Sequence, residues 1–273
     1  MNDILVISRG IGELPREARY AAQLGHRLSG WVSGLSVIDA DPPLVAHEAP
    51  VAGEIERQQR EAKRLVLGER SAFRRLLREL GISGGDWEVA QGPIAEVAAY
   101  ASRWHDLLVV RADRSGGDPT ALLSELVLRA KSACLVVPHD YDRPARLDCV
   151  ALAYNGSPES IRAIHAAIPL LRHARRVVLL RGRRRKPLVS AMTEAPTFDV
   201  VEHLARRGIK VERQSLEDPE QSSGEEIVDA AARLGADLLV MGAYGRSRLA
   251  ERILGGATRH ALRTSTVPLL MRH

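Results

Sequence analysis

The same apolar pattern occurs twice in the chain. Residues 106–110, Asp-Leu-Leu-Val-Val, match residues 237–241, Asp-Leu-Leu-Val-Met. The segments at a similar distance on either side also align, 4–10 with 150–156 and 135–137 with 269–271. A repeat of this length predicts two copies of one folding unit instead of a single large domain. We place the two domains at residues 1–140 and 147–273, with a linker around the proline at position 144.

Within each copy, short apolar runs alternate with amphipathic segments. Short apolar runs are typical of buried parallel strands, and apolar residues three or four positions apart are typical of helices. The alternation predicts an α/β fold with a parallel sheet between helices. Strands are predicted at 3–8, 31–38, 87–90, 106–110, 134–137, 149–153, 177–180, 209–213, 237–241 and 267–271. Helices are predicted at 13–28, 54–80, 93–104, 119–131, 157–171, 193–207 and 223–234, and a last one begins near Ala257.

Composition narrows the function classes. Of 273 residues, 45% are hydrophobic, which is enough for full cores, and no apolar run approaches the ~18 residues of a membrane span. Met1 to Val6 has no basic leader region, so we expect a cytoplasmic protein without membrane attachment. Cys134 and Cys149 adjoin apolar runs and are expected to be buried thiols. The net charge is +5, but acidic and basic residues are interspersed along the chain, so nucleic-acid binding is not favoured.

One glycine-punctuated stretch in the second half has the order expected of a phosphate-binding loop. After the predicted strand 237–241 come Gly242 and Gly245, a nine-residue spacer, then Gly255 and Gly256 before a predicted helix. Glycine lets a backbone approach a ligand closely, and a helix N-terminus attracts anions. A strand-to-helix connection that only needs tight turns explains the same glycines, and the glycines alone leave both interpretations open.

The motif, the strand order and the duplication together resemble the universal stress protein family in its tandem form. The resemblance covers the whole chain, and Asn155-Gly156-Ser157 after the first strand of the second half also carries it. It implies two five-stranded parallel sheets in the order 3-2-1-4-5, of the flavodoxin-like, adenine nucleotide alpha hydrolase-like type, packed as a pseudo-dimer. It also implies an adenine nucleotide in a crevice between strands one and four.

The resemblance assigns a role to ten residues of the second half. Ala153 and Gly182 would border the adenine, Asn155 would lie near the adenosine, and Gly242 near the ribose. The phosphates would be surrounded by Gly245, Arg246, Gly255, Gly256, Ala257 and Thr258, mostly through backbone N–H groups.

The second half departs from the family pattern at two positions. Asn155 replaces an acid, which removes a charge and retains hydrogen-bonding reach. Gly256 replaces Ser or Thr, which removes a hydroxyl donor worth ~1.5–3 kcal/mol toward a charged oxygen. Thr258 could supply a hydroxyl in its place. We therefore expect binding of ATP, ADP or AMP that is weak or favours the shorter phosphate chains.

The first half departs from the pattern throughout. Arg9, Arg111 and Arg114 stand where the second half has Asn155, Gly242 and Gly245. The first domain is therefore expected to be a structural partner with a degenerate site. A less favoured interpretation is that these arginines form an anion site of their own.

Catalytic signals are weak. His260 follows the glycine pair, but a histidine on a helix is more often a surface or packing residue. No cluster has metal-ligand spacing, and Mg²⁺ would accompany ATP through its own phosphate oxygens. The basic run from Arg181 to Lys186 is either a solvated loop or an arginine cover for the phosphates.

The sequence therefore predicts a nucleotide-binding stress-response protein that senses or regulates and is not a fast enzyme. The alternatives are a nucleotide-free scaffold, in which both sites are degenerate, and a slow ATPase. Domain pairing within the chain is expected, and a further homodimer remains open.

Overall fold

The structure is a computed structural model, which describes residues 3–9, 13–38, 52–112, 120–181, 199–216, 224–244 and 256–273. Side chains of residues 52–63 are excluded from the description. The chain divides into two compact units: 1–111 with 129–132 and 142–145, and 112–128 with 133–141 and 146–273. In the described part of the chain, no helix combines the length and apolarity that crossing a membrane requires. The predicted boundary between residues 140 and 147 stays a prediction.

The first repeat contributes five strands and four α-helices to the described part of the chain. Its strands are β1 (Asp3–Arg9), β2 (Trp31–Ile38), β3 (Trp87–Gln91), β4 (Leu107–Arg111) and β5 (Ala133–Val137). Its helices are α1 (Arg16–Leu28), α2 (Ala52–Glu79), α3 (Ile94–Ala101) and α4 (Thr120–Arg129), with a 3₁₀ turn at Ser102–Trp104. α4 lies mostly in the second unit, as does β5.

The second repeat has the same alternation. Its strands are β6 (Cys149–Tyr154), β7 (Arg176–Arg181), β8 (Glu212–Ser215), β9 (Leu238–Gly242) and β10 (Leu269–Arg272). Its helices are α5 (Pro158–Leu171), α6 (Val200–Ala205), α7 (Gly224–Arg233) and α8 (Gly256–Thr264).

The strand order confirms the predicted fold class. In the first unit, β2 pairs in parallel with β3 and β1, and β1 pairs in parallel with β4. In the second unit the order β8-β7-β6-β9-β10 is parallel throughout, which is the predicted 3-2-1-4-5. The central strands β1, β4, β6 and β9 are almost fully buried, as continuous apolar runs in a doubly covered sheet should be.

The last strand of each repeat finds its partner in the other repeat. β5 and β10, both within the second unit, pair antiparallel, with Leu135 opposite Leu270. This pairing, which the sequence allowed, covers two strand edges that would otherwise expose unpaired backbone groups.

Equivalent hydrogen bonds confirm the internal repeat. The Asp106 N–H donates to the Asp3 carbonyl at 2.8 Å, and the Asp3 N–H donates to the Asp106 carboxylate at 3.2 Å. In the second repeat the Asp237 N–H donates to the Cys149 carbonyl at 2.8 Å, and the Cys149 N–H donates to the Asp237 carboxylate at 3.0 Å. In both copies the aspartate before the fourth strand thus fixes where the first strand starts.

A buried polar cluster joins α2 to the sheet of the first unit. The indole N–H of Trp87 donates to the Ser36 hydroxyl at 3.1 Å and to the Glu69 carboxylate at 3.0 Å. The Ser36 hydroxyl donates to the same carboxylate oxygen at 2.9 Å. The indole ring lies over Gly34, where an added Cβ would come within 1.9 Å of a ring carbon. Glycine at position 34 therefore makes room for the tryptophan.

One predicted strand was misplaced. Residues 209–213 were expected to form a strand, but β8 begins at Glu212. Ile209 is buried because its N–H donates to the Leu204 carbonyl and closes the end of α6, after Gly208 at φ +76°. β8 itself has the polar sequence Glu-Arg-Gln-Ser, so no apolar signal marked it. Of the helix predicted at 193–207, residues 200–205 form α6, and residues 193–198 lie outside the described residues.

Both cysteines are buried and carry free thiols. Burial raises the pKa of the Cys134 thiol to about 12, so Cys134 behaves as a small apolar side chain.

Candidate functional site

The candidate site lies at the carboxyl ends of β6 and β9. These strands are hydrogen-bonded neighbours with Ala153 opposite Met241, and β7 lies on the other side of β6 with Leu180 opposite Ala153. The chain leaves β6 toward β7, and leaves β9 toward β10. Parallel α/β sheets open a crevice at such a switch point. Ala153, only 8% exposed, forms the end of its floor.

Asn155 shapes the turn from β6 into α5. Its side-chain oxygen accepts a hydrogen bond from the Ser157 N–H at 3.0 Å, and Gly156 between them has φ +76°. Ser157 then caps α5 by accepting from the Ser160 N–H at 3.2 Å. Because the Asn155 oxygen is used in the turn, the Asn155 amide NH₂ is the group left to donate to a ligand.

Gly242 is explained by packing as well as by a ligand. A Cβ at this position would come within 2.5 Å of the Ser160 backbone nitrogen and 2.6 Å of the Glu159 carbonyl carbon. The end of β9 therefore touches the first turn of α5, and any larger residue would push the two apart. This glycine does not by itself discriminate between a nucleotide site and a tight connection.

Glu159 brings a carboxylate to the same place. One of its carboxylate oxygens is buried and accepts no hydrogen bond from the described part of the chain. An acidic residue in the first turn suits the positive end of the α5 dipole. An unpaired carboxylate beside Gly242 also means that the crevice is not uniformly favourable to phosphate.

A hydrogen bond between Tyr244, which follows β9, and Thr258 connects the end of β9 to the first turn of α8; we call this connection the link. The Tyr244 N–H donates to the hydroxyl oxygen of Thr258 at 3.4 Å, and Thr258 is buried. Ala257 packs its backbone against Gly224, the first residue of α7, where a Cβ would come within 2.5 Å. Gly256 is exposed, and an added Cβ there would meet no atom of the described residues within 4 Å. The first N–H groups of an α-helix have no partner within the helix, so they are available to a ligand or to another part of the chain.

Tyr244 turns inward from this link. It adopts φ +55° and is 7% exposed, and its hydroxyl lies beside Ser124 of α4. Burial raises the pKa of the phenol, against smaller opposing effects of Ser124 and Arg259. The Tyr244 ring is therefore anchored in the core, and its backbone lies on the side of the crevice.

The end of β10 fixes the first residue after β9. The Ala243 N–H donates to the Arg272 carbonyl at 3.0 Å, and Nδ1 of His273 lies 3.1 Å from the Ala243 carbonyl oxygen. Arg272, opposite Gly242 in the register, is partly buried. Burial lowers the pKa of Arg272, and the charge of Arg162 on α5 lowers it further. Arg272 and Arg162 therefore lie close enough for their charges to repel each other.

Several predicted site residues lie outside the described residues. These are Gly182, Gly245, Arg246 and Gly255, together with residues 183–186 of the basic run. Arg181, the last residue of β7, is described and exposed. His260 is on α8, as predicted. In the described part of the chain, no group of three or more His, Cys, Asp or Glu side chains could hold a metal ion.

The corresponding end of the first unit carries arginines. Arg9 is the last residue of β1 and Arg111 the last residue of β4, on neighbouring parallel strands. Arg114 lies outside the described residues. Charged arginine side chains therefore stand where the second repeat has the neutral Asn155 and Gly242.

Comparison with known proteins assigns the second repeat. The sequence profile of the universal stress protein family matches residues 148–273. The second repeat is therefore similar in sequence to the universal stress protein family. A search of curated proteins found no match.

Solved structures extend the likeness to the whole chain. A universal stress protein from Archaeoglobus fulgidus DSM 4304 is 15% identical over 99% of this chain and 96% of its own, with a TM-score of 0.68. A functionally unknown protein from Pseudomonas aeruginosa PAO1 is 14% identical over 100% of this chain and 92% of its own, with a TM-score of 0.55. At these identities the likeness shows the fold, which fits the tandem form of the universal stress protein.

A universal stress protein solved in complex with cAMP covers 46% of this chain and 97% of its own length. It is 20% identical, with a TM-score of 0.34. That score supports no argument about the present chain.

Four residues near the crevice were not identified from the sequence. They are Glu159, Gly224, Tyr244 and His273. Gly224 and Tyr244 act through tertiary packing and left no local signal. Glu159 follows the recognised Asn-Gly-Ser turn by two residues, so its proximity to the crevice was available from the sequence.

Proposed function

We propose that the universal stress domain at 147–273 binds an adenine nucleotide, and that occupancy regulates the protein and does not support rapid turnover. The observation that carries the proposal is the exposed start of α8 at Gly256, which the Tyr244–Thr258 hydrogen bond joins to the end of β9. A helix N-terminus next to a switch-point crevice suits a phosphate group.

The residue assignments follow the motif. Ala153, Asn155 and Gly182 would border the adenosine, Gly242 the ribose, and Gly245, Arg246, Gly255, Gly256, Ala257 and Thr258 the phosphates. Thr258 retains a hydroxyl hydrogen for a ligand, since its oxygen is the acceptor in the bond from Tyr244. Any Mg²⁺ would come with the phosphate oxygens, and the cytoplasm remains the proposed location.

The first domain is proposed as a structural partner with a degenerate site, paired with the second. Arg9 and Arg111 at the ends of β1 and β4 support this, because they put arginine side chains where the second repeat has the positions proposed for the adenosine and the ribose. Gly242 is compatible with the alternative of a nucleotide-free scaffold. Its lack of a side chain is already explained by its contact with α5, so a ligand is not needed to account for it.

Calorimetric titration of nucleotide-free protein with ATP, ADP and AMP tests the proposal. We expect about one equivalent to bind, and Gly245→Arg, which copies the first repeat at Arg114, to abolish binding. Arg114→Gly is the matched control and should leave the stoichiometry at one. No binding of any of the three nucleotides, checked by a second method, would contradict the proposal and favour the scaffold.

A further inference from the structure

A surface pocket in the first unit has no part in the proposed function. Its volume is about 480 Å³, within the roughly 300–1,000 Å³ of pockets that hold small organic molecules. Ser71, Arg74 and Arg78 of α2 line one side, and the turn 82–85 before β3 lines the other. The turn adjoins the amino ends of β2 and β3, whereas the arginines that replace the nucleotide motif stand at the carboxyl ends of β1 and β4. The pocket is therefore not the first repeat's counterpart of the nucleotide site.

The α2 side of the pocket is positively charged. Ser71, Arg74 and Arg78 are three and four positions apart, so they lie along one stripe of the helix. Arg74 donates to the Asp86 carboxylate at 3.0 Å, which uses part of its guanidinium. Arg78 has no ion-pair partner among the residues that the structure describes. Residues 70–86 contain four arginines and two acidic residues, so the charge of this side is not balanced.

The turn offers backbone donors to the same pocket. The Ile82 N–H donates to the Leu77 carbonyl at 2.8 Å and closes the end of α2. Over the described residues, the N–H groups of Ser83, Gly84 and Gly85 donate to no acceptor. Gly84 is buried, and backbone N–H groups of buried residues are almost always paired. Successive N–H groups of a turn beside arginine side chains form the kind of concave site that binds anions.

One part of the pocket is apolar. Leu77 and Ile82 line it, and the Trp31 ring lies against Gly84, where an added Cβ would come within 2.3 Å of a ring carbon. Trp31 is nonetheless 55% exposed. The equivalent position of the second repeat, at the start of β7, is Arg176, which is paired with a glutamate of β8 at 2.7 Å. The tryptophan is thus a feature of the first repeat alone.

We propose that this pocket binds a small organic oxyanion, a phosphate or carboxylate carried on a planar apolar body. Arg74, Arg78 and the N–H groups of residues 83–85 hold the charged end, because guanidinium groups form strong charge-assisted hydrogen bonds with phosphate and carboxylate. The apolar body packs against Leu77 and beside Trp31. This site and the nucleotide site proposed for the second repeat do not depend on each other.

Residue-resolved NMR titration of the ¹⁵N-labelled full chain tests the proposal. The probes are phenyl phosphate and benzoate, with inorganic phosphate as the control that lacks the ring and phenol as the control that lacks the charge. We expect both aromatic anions to shift the amide signals of residues 83–85 and the indole signal of Trp31. Inorganic phosphate should bind about tenfold more weakly, because it buries no apolar surface. Phenol should cause no shift at the same concentrations. The aromatic anion that binds more tightly identifies the preferred oxyanion.

Arg78→Gln should weaken the binding of phenyl phosphate about tenfold, because it removes the cation that has no carboxylate partner. Arg75→Gln is the matched control, since Arg75 is exposed on α2 and is not among the residues that line the pocket. It removes the same charge and should leave the affinity within about twofold, because an exposed charge outside the pocket is screened. Arg78→Lys retains a charge and should recover most of the loss. Melting curves of the three variants exclude unfolding as the cause.

Equal loss of affinity in Arg78→Gln and Arg75→Gln would show a general attraction to a basic helix and would overturn the inference. Shifts confined to other parts of the chain, or no shift with either aromatic anion, would also overturn it. Gly245→Arg should leave this binding intact, so the inference and the proposed function can fail separately.

Discussion

Gly242 and Gly256, the two glycines of the nucleotide motif that the structure describes, have different structural roles. Gly242 packs against the backbone of Ser160 and Glu159, whereas a Cβ at Gly256, at the start of α8, would meet no atom of the described residues within 4 Å. The first is required by the fold. The second leaves room for a ligand or for a side chain, so the two positions should respond to substitution in opposite ways.

Gly242→Ala should lower the free energy of unfolding by about 1–3 kcal/mol, because the new Cβ overlaps the first turn of α5. Denaturant unfolding measures it. Gly256→Ala is the matched control and should cost little, since its Cβ meets no atom within 4 Å in the part of the chain that the structure describes. Equal stability of Gly242→Ala and wild type would show that the contact with α5 is absent.

Gly256→Ser should tighten ATP binding about tenfold, because it restores the hydroxyl donor of the family motif at an open helix start. Gly256→Ala adds the same Cβ without the hydroxyl and should leave affinity within about twofold. Titration calorimetry on both variants separates the effects of the hydroxyl and the methyl. If serine and alanine give the same affinity, position 256 does not face a phosphate.

At the scale of elements, polar side chains fix how helices lie on the sheets. α2 is joined to β2 and β3 through Glu69, Ser36 and Trp87. α6 is joined to α5 through the stacked rings of His203 and His165, whose centroids are 4.6 Å apart. Both contacts should be visible in unfolding experiments.

Trp87→Phe should lower the free energy of unfolding by about 2–3 kcal/mol. It removes the donor to Ser36 and Glu69 and leaves a small cavity over Gly34. Chemical denaturation monitored by circular dichroism tests this. Trp104→Phe, at a tryptophan that is 76% exposed, should change little. Similar small losses for both variants would contradict the buried cluster.

The lowered pKa of His203 should make stability depend on pH. Burial lowers the pKa of His203, and the charges of Arg207, His165 and Arg206 lower it further. His203 therefore binds a proton more readily in the unfolded chain than in the folded one. The free energy of unfolding is highest above the ordinary histidine pKa of about 6.5. It decreases as pH falls from there toward the lower pKa that His203 has in the folded state.

Urea unfolding midpoints between pH 5 and pH 8 measure this dependence. His203→Gln should flatten the rise in stability with pH, and His173→Gln, at an exposed histidine just after α5, should keep the wild-type slope. An unchanged slope in His203→Gln would show that the pKa of His203 is not lowered by folding.

At the scale of the whole molecule, the duplication made the fold predictable. Asp106 and Asp237 marked equivalent strands, and the two aspartates make equivalent hydrogen bonds to the starts of β1 and β6. Long apolar strands such as β4 and β9 were identified because burial on both faces leaves a continuous signal. β8 was misplaced because an exposed edge strand needs no apolar residues.

The candidate site was predictable only as a list of positions. The motif indicated Asn155, Gly242 and Thr258 as site residues. The residues that Gly242 and Thr258 contact are far away in the sequence, so the motif could not indicate them. Thr258 bonds Tyr244, and Gly242 touches α5. The residue after Gly242 is fixed by the register of β10 on β9, which the sequence alone left undefined.

The central claim is that an adenine nucleotide occupies the second repeat and not the first. Amide chemical shifts in a ¹⁵N-labelled sample titrated with ATP test it most directly. We predict shifts at Asn155, Gly256, Ala257 and Thr258, and none at Arg9 or Arg111. Shifts confined to the ends of β1 and β4, or no shifts at saturating ATP, would contradict the account.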